Sequence, residues 1–232
     1  MLLESKADMT PDSDGATPLY VAACHGRLDV VKLLLQHKAE LESTFKTGAT
    51  PLYVACSNGH LDVVDALIEP GANVNAVCKD GATPLYVAAE FGHVDVVKRL
   101  AQAGALLESP FQTGATPLYI AAYKGHADVA KTLVKLSTST PLNFRWNFID
   151  ANVNAALHDG ATPLHSACEN GFHKIVKLLV TSGATVNTLM TNSCNDLSHI
   201  LPNHSQAFPP STPPHFEATQ KSCTHWSKAK HF

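Results

Sequence analysis

Long apolar runs, signature motifs of catalysis and an excess of basic residues are all missing from this sequence. No stretch is apolar enough to span a bilayer, and Glu4 interrupts the start too early for a secretory signal. Lys and Arg number 17 against 20 Asp and Glu, which leaves no basic stripe for a phosphate backbone. No P-loop, Gly-rich dinucleotide turn, H-E-x-x-H or nucleophile elbow occurs. These absences predict a protein that is not an enzyme, does not insert into membranes and does not bind nucleic acid.

Cysteine spacings typical of disulfide frameworks or zinc modules are also absent. None of the six cysteines forms a C-x-x-C pair, and the chain is too long to need disulfide bonds for stability. Cys56 and Cys168 occupy positions where other copies of the sequence have alanine, so we expect small buried apolar residues there. Cys194, His199 and His204 match no known zinc spacing. We therefore expect reduced thiols, no metal or cofactor, and an intracellular protein, in the cytoplasm or alternatively the nucleus.

Glycine is absent outside three recurring sequence positions, and this restriction indicates an internal repeat. Each of the 13 glycines stands in one of three places: before Ala-Thr-Pro, after the first helical segment of a copy, or after the second helical segment of a copy. The Gly-Ala-Thr-Pro-Leu core recurs at intervals of 33, 33, 33 and 46 residues, so one copy carries 13 additional residues. Self-similarity at such a period indicates a solenoid. The five copies of the core lie at residues 15–19, 48–52, 81–85, 114–118 and 160–164.

Each copy reads as two short helices. Threonine before proline is a good N-cap, and proline suits the first helical position. Small alanines follow and allow neighbouring helices to approach closely, and a glycine then ends the first helix. A second apolar stripe has helical spacing, as at Leu61, Val64 and Leu67. The unit is therefore predicted to be a helix pair.

This unit resembles the ankyrin repeat, which has the same period and a T-P-L-H-x-A core. The resemblance covers roughly residues 14–187 and implies an all-α solenoid of stacked antiparallel helix pairs joined by short β-hairpin-like loops. It predicts an ankyrin-repeat domain at 14–191, a partial repeat at 1–13 and a disordered tail at 192–232. The five predicted repeats are 14–46, 47–79, 80–112, 113–158 (with an insertion at 137–150) and 159–191.

The sequence departs from the family pattern in two ways and contains a longer period. Tyrosine replaces the motif histidine in four repeats, at Tyr20, Tyr53, Tyr86 and Tyr119, whereas His165 keeps it. Lys38 stands where glycine normally follows the second helix, and a left-handed backbone there would cost on the order of 1 kcal/mol. Repeats 1–2 and 3–4 look like a duplicated doublet, so we expect features to alternate between neighbouring repeats.

The resemblance implies that a partner protein is bound on a concave surface made of hairpin tips and the exposed face of each first helix. Aromatic anchors ringed by polar groups are typical of interfaces. We predict Phe91, Phe111 and Tyr123 as anchors, with Lys79, Asp80 and Lys124 setting specificity. Alternatively, Phe45 and Phe111 fold back onto the adjacent repeat, and the exposure of their rings distinguishes the two. The full predicted surface is Phe45, Lys46, Ser57, Asn58, Lys79, Asp80, Glu90, Phe91, Phe111, Gln112, Tyr123 and Lys124.

Two further sets of residues carry predictions from the family. Asn75 and Asn187 end an L-x5-x-V-N pattern, at which resembling proteins can be hydroxylated by an asparaginyl hydroxylase. The alternative is an asparagine that only stabilises the turn. His60, His93 and His126 recur every 33 residues, and we expect neutral packed histidines there rather than metal ligands.

The resulting functional prediction is a non-enzymatic scaffold or interaction module. One alternative is a regulatory or substrate-targeting subunit of an enzyme, such as a phosphatase or a ubiquitin ligase. Another is a fragment of a longer multi-domain or membrane-linked ankyrin-repeat protein. A third alternative treats 137–150 and 188–232 as read-through from non-coding sequence.

Overall fold

The computed structural model describes residues 12–13, 15–138 and 151–188. Most of the predicted partial repeat at 1–13, most of the insertion at 137–150 and the predicted tail at 192–232 lie outside these residues. Within them the chain forms ten α-helices and no strand. The helices are α1 (Pro18–Cys24), α2 (Leu28–Gln36), α3 (Pro51–Asn58), α4 (Leu61–Ile68), α5 (Pro84–Glu90), α6 (Val94–Gln102), α7 (Pro117–Lys124), α8 (Ala127–Thr138), α9 (Pro163–Glu169) and α10 (His173–Thr181).

The helices stack in two rows. The first helices of the pairs, α1, α3, α5, α7 and α9, contact one another in chain order and form an inner row. The second helices form an outer row, and each also packs on its own partner. One continuous apolar cluster runs from Ala16 to Leu179 between the rows. The predicted all-α solenoid of stacked helix pairs is thereby confirmed.

The inner helices begin where the sequence predicts. In each of them a threonine side chain accepts a hydrogen bond from the backbone N–H three residues later, and proline follows in the first turn. These helices have only seven or eight residues. Helices this short are unstable alone in water, so their stability comes from stacking on neighbours. None of the described helices is long and apolar enough to cross a membrane.

The backbone after the helices takes left-handed conformations. Gly59 (φ +74°) ends α3, and a Cβ atom there would lie 2.5 Å from the ring of His93, so both the turn and the close ring contact require glycine. Among the described residues Lys38 (φ +62°) is the one non-glycine with positive φ. The steric cost predicted for Lys38 is therefore present in the fold.

The cysteines follow the prediction only in part. Cys56 and Cys78 are free and buried, and burial raises the pKa of the Cys78 thiol to about 12. Cys168 is also free but is exposed, contrary to expectation. Cys24 is disulfide-bonded, so the prediction of six reduced thiols is wrong at that position.

Candidate functional site

The hairpin tips between helix pairs are built alike and are joined to one another. In the first tip Phe45 N–H donates to Ala49 O at 2.9 Å and Gly48 N–H donates to Phe45 O at 2.7 Å. Equivalent pairs of bonds close the other three tips. Neighbouring tips are linked by three bonds, which are Lys79 N to Thr47 O (3.0 Å), Gln112 Nε2 to Lys79 O (3.1 Å) and His158 N to Thr113 O (3.1 Å). The tips thus form one continuous row, called the tip ridge, whose outermost side chains are Lys46, Lys79, Gln112 and His158.

The exposed part of the tip ridge is polar and includes two lysines. Lys46, Lys79 and Gln112 are exposed, as the predicted surface requires. Lys46 Nζ lies 5.3 Å from the centroid of the Phe45 ring. Asp80 instead helps to build its turn, because its Oδ1 accepts a hydrogen bond from Ala82 N–H at 3.1 Å. The tip ridge therefore presents two lysines, Gln112 and His158, together with the exposed carboxylate of Asp159 in the fourth tip.

The two hairpin phenylalanines fold back, but onto their own repeat. Phe45 is 2% exposed and stacks on Tyr20, with ring centroids 5.2 Å apart and an interplanar angle of 12°. Phe111 stacks on Tyr86 in the same way at 5.1 Å and 15°, yet it stays partly exposed. Phe45 is therefore not an exposed anchor, because its ring fills the space above Tyr20. Phe111 can offer only part of its ring to a partner.

These stacks account for the tyrosines that replace the motif histidine. His165 retains the family arrangement, since its Nδ1 accepts from Thr162 N–H at 3.1 Å and its Nε2 donates to Thr188 O at 3.0 Å. Tyr20 and Tyr86 do not accept a hydrogen bond from the N–H of the capping threonine as His165 does. Each packs against a hairpin phenylalanine instead. Burial raises the pKa of Tyr86, which keeps the phenol neutral. Sequence reasoning missed this Tyr–Phe pairing, although the alternation between neighbouring repeats was its visible signal.

Several predicted surface residues at the ends of the inner helices are buried. Ser57 and Glu90 are covered by the following repeat, so neither is available to a partner as an exposed group. Asn58 is half-buried and donates to Cys24 O at 3.2 Å and to Val54 O at 3.0 Å, so it joins two repeats. Phe91 is half-buried, with its ring centroid 6.5 Å from that of His93. The predicted surface is accordingly smaller than the sequence indicates.

Tyr123 is the exception at the ends of the inner helices. Its side chain is 40% exposed, whereas the equivalent residues of the three preceding repeats, Cys24, Ser57 and Glu90, are buried. Lys124 Nζ lies 5.7 Å from the Tyr123 ring centroid, within cation–π range, and 3.6 Å from Glu90 Oε1. An exposed aromatic ring beside a fixed cation is a suitable contact for another protein.

The histidine column is structural. The Nε2 atoms of His60, His93 and His126 donate to backbone carbonyls of the preceding repeat at 3.1, 3.0 and 2.9 Å. Desolvation lowers the pKa of His93, against a smaller opposing effect of its bond to Ser57 O and with small contributions from the other two histidines. The bonding agrees with neutral packed histidines. In the part of the chain that the structure describes, no three His, Cys, Asp or Glu side chains gather as metal ligands.

Asn75 bridges two repeats rather than standing free. Its Nδ2 donates to Gly104 O at 3.2 Å, and its Oδ1 accepts from Leu106 N–H at 2.9 Å. Asn154 makes the equivalent bonds to Gly183 O and Thr185 N, which the sequence analysis did not identify because the insertion interrupts the motif there. Asn187 is exposed close to the end of the described residues. Hydroxylation of Asn75 or Asn187 stays a prediction.

A comparison with family models now decides what kind of repeat this is. The model described as ankyrin repeats (3 copies) matches residues 1–78, 70–143 and 108–190. The chain belongs to the ankyrin-repeat family. Ankyrin repeats are generally protein–protein interaction modules and are typically not enzymes. No curated protein matches the chain.

The residues of the predicted surface can now be divided into those that build the fold and those that remain accessible. Phe45, Ser57, Asn58, Asp80 and Glu90 hold the repeats together or close their turns. The side chains that remain wholly or partly accessible are Lys46, Lys79, Gln112, Phe91, Phe111, Tyr123 and Lys124.

Proposed function

We propose that this ankyrin array is a non-enzymatic interaction module that binds an extended segment of a partner protein. The segment lies along the tip ridge and the neighbouring ends of the inner helices. A stacked solenoid offers a long pre-organised surface, so little conformational entropy is lost on binding. The observation that carries the proposal is the exposed ring of Tyr123 beside Lys124, at a position that is buried in the three preceding repeats.

The charges of this surface favour a partner segment that carries carboxylates. Lys46 and Lys79 are exposed on the tip ridge, while the carboxylate of Asp80 is engaged in its turn. Glu90 is buried against Lys124 and does not face solvent. An acidic segment with one apolar or aromatic side chain placed against Tyr123 would satisfy both features. The partly exposed rings of Phe91 and Phe111 extend the apolar part of the surface. A cytoplasmic location, or alternatively a nuclear one, remains part of this proposal, but the disulfide at Cys24 removes fully reduced thiols as an argument for it.

Quantitative affinity capture with the full chain tests the proposal. Tyr123→Ala should weaken binding of a captured partner about tenfold or more, since exposed aromatic anchors dominate interface energies. The double variant Lys46→Ala with Lys79→Ala should weaken the same partner and reduce the salt dependence of binding. Leu61→Ala is the matched control, because Leu61 is similarly exposed (36%) but lies on the outer row. If Tyr123→Ala and the lysine variant both bind every partner as the wild type does, the proposed surface is wrong.

A further inference from the structure

The exposed charges on the surface proposed for the partner change sign along the array. Lys46 and Lys79 are exposed on the first two tips. In the fourth tip Asp159 is exposed, although its Oδ1 accepts a hydrogen bond from Ala161 N–H at 3.0 Å. Glu169, the last residue of α9, is also exposed. A segment that lies along this surface therefore meets cations at the first two tips and carboxylates at the fourth tip and α9.

The inner helix α7 carries two tyrosine rings that are accessible. Tyr119 and Tyr123 are four residues apart, so they project from the same side of this helix. The residues that hold the Tyr119 position in the three preceding repeats are buried, namely Tyr20, Tyr53 and Tyr86. Tyr119 itself is partly exposed, and Tyr123 is 40% exposed. The helix α7 thus presents two accessible phenol rings one turn apart.

The two carboxylates lie within electrostatic reach of these rings. Burial is the main cause that raises the pKa of the Tyr119 phenol, against an opposing effect of Ser166. The charges of Asp159 and Glu169 raise this pKa further, and so does the neighbouring Tyr123. Asp159 comes from the fourth tip, and Glu169 comes from α9, which packs directly on α7. The junction between α7 and α9 therefore brings together two aromatic rings and two carboxylates.

Lys124 does not neutralise these carboxylates, because it is paired on the other side of α7. Its Nζ lies 3.6 Å from Glu90 Oε1, and Glu90 belongs to α5, which packs on α7 from the side opposite to α9. Neither Asp159 nor Glu169 forms an ion pair with any residue that the structure describes. The charge that remains at the junction is therefore negative, and it suits a cationic group of the partner.

We propose that this junction binds an arginine side chain of the partner segment, between the two α7 tyrosines and the carboxylates of Asp159 and Glu169. The inference rests on the proposed function, because it assigns the second end of the same segment. The methylene stem of the arginine supplies the apolar contact with Tyr123, while the planar guanidinium stacks on a ring and donates to a carboxylate. The segment thus carries acidic residues over the first two tips and an arginine at its other end, which determines the end that lies on each half of the array.

Fluorescence anisotropy of the full chain with a labelled Gly/Ser peptide that contains two arginines tests this site. The same peptide with citrulline in place of both arginines keeps their shape but not their charge, and it should bind about tenfold more weakly. The double variant Asp159→Asn with Glu169→Gln should weaken binding of the arginine peptide about tenfold, and added salt should narrow the difference. Asparagine at 159 keeps an oxygen that can accept from Ala161 N–H, so circular dichroism should show unchanged helix content. Tyr123→Leu should also weaken this peptide, and Tyr123→Phe should weaken it less because the ring face is kept.

A matched variant and the captured partner keep the result interpretable. Asp62→Asn with Glu69→Gln removes the same charge from exposed residues of the outer row, and it should bind the arginine peptide as the wild type does. A citrulline peptide that binds equally well, or an equal loss in the two double variants, overturns the inference. If the arginine peptide does not bind but Tyr123→Ala still weakens a captured partner, the inference fails and the proposed function stands. If the arginine peptide binds at this junction but neither Tyr123→Ala nor the lysine variant affects any captured partner, the site stands and the proposed function fails.

Discussion

The first two repeats (14–79) and the next two (80–158) are near copies of each other in sequence, and they share the contacts that join their repeats. His60 donates to Cys24 O in the first copy, and His126 donates to Glu90 O in the second, at 3.1 and 2.9 Å. Each copy also stacks a hairpin phenylalanine on the tyrosine of its first helix. The two pairs of repeats therefore share both the junction contacts and the aromatic pairs.

The two copies differ in how deeply the equivalent side chains are buried. Phe45 is buried, while Phe111 is partly exposed. Glu42 is exposed, whereas Glu108 is half-buried, although each accepts a backbone N–H at 2.8 Å from the next repeat. The same local bond therefore sits in two different environments. The glutamate itself supplies the acceptor of this hydrogen bond, whereas the burial around it determines how much the bond contributes to stability.

Truncating the two hairpin rings gives the largest expected difference between the copies. Phe45→Ala should lower the free energy of unfolding by about 3–5 kcal/mol, as for other buried phenylalanines. Phe111→Ala should cost clearly less, because part of that ring already contacts water. Urea unfolding followed by far-UV circular dichroism measures both. Equal losses would contradict the difference in burial on which the comparison depends.

Removing the junction histidines tests where the two copies agree. His60→Ala and His126→Ala should each cost about 1–3 kcal/mol, because each leaves a part-buried carbonyl without its donor. Each also removes the ring that covers a glycine, Gly26 or Gly92, at the end of the preceding inner helix. The same unfolding measurement applies, and the two losses should agree within error. A clear difference would mean that the junctions of the two copies are not equivalent.

The sequence predicts the parts of this fold that depend on local chemistry. Thr-Pro pairs locate the helix starts, the glycine columns locate the turns, and Lys38 is found in the left-handed conformation expected of its position. Each of these features follows from the φ and hydrogen-bond preferences of a few adjacent residues. Such preferences can be inferred from the sequence of a single repeat, without knowledge of how its neighbours pack on it.

The candidate site was less predictable because exposure depends on residues that are distant in sequence. Glu90 is charged and was expected on the surface, but it is buried against Lys124 of the following repeat. Cys168 shares a position with the buried Cys56 but is exposed. Phe45 and Phe111 hold the same position in similar hairpins, but their exposure differs. Tyr123 was predicted from its aromatic side chain at the outward-facing end of a first helix, and its binding role stays a prediction.

Lys38 and Gly104 hold the same turn position in the two copies and offer a smaller test. Lys38→Gly should raise the free energy of unfolding by roughly 0.5–1 kcal/mol, since glycine removes the left-handed strain but adds entropy to the unfolded chain. Gly104→Ala should lower it by about 1 kcal/mol. Nothing lies within 4 Å of a Cβ atom built at Gly104, so backbone conformation alone acts there. Urea midpoints that move in the same direction for both variants would contradict this interpretation.

The smallest expected effect is a change in pH dependence at Glu108. Desolvation raises the pKa of this carboxyl from 4.5 to about 7, against a smaller lowering by the hydrogen bond from Asn152 N–H. The folded state therefore holds the proton more tightly than the unfolded state between those two pH values. Stability contributed by this group must fall as pH rises from about 4.5 to 7.

Glu108→Gln removes this titration while keeping an oxygen that can accept from Asn152 N–H. The melting temperature of the variant should therefore fall less than that of the wild type as pH is raised across this window. His93 acts in the opposite direction, because its lowered pKa makes the fold lose stability as pH falls below about 6.5. The difference between variant and wild type, rather than the total slope, is the quantity to measure. Glu42→Gln is the control, because Glu42 accepts the equivalent hydrogen bond but is exposed. If both variants change the slope of melting temperature against pH equally, the half-buried environment of Glu108 is not the cause.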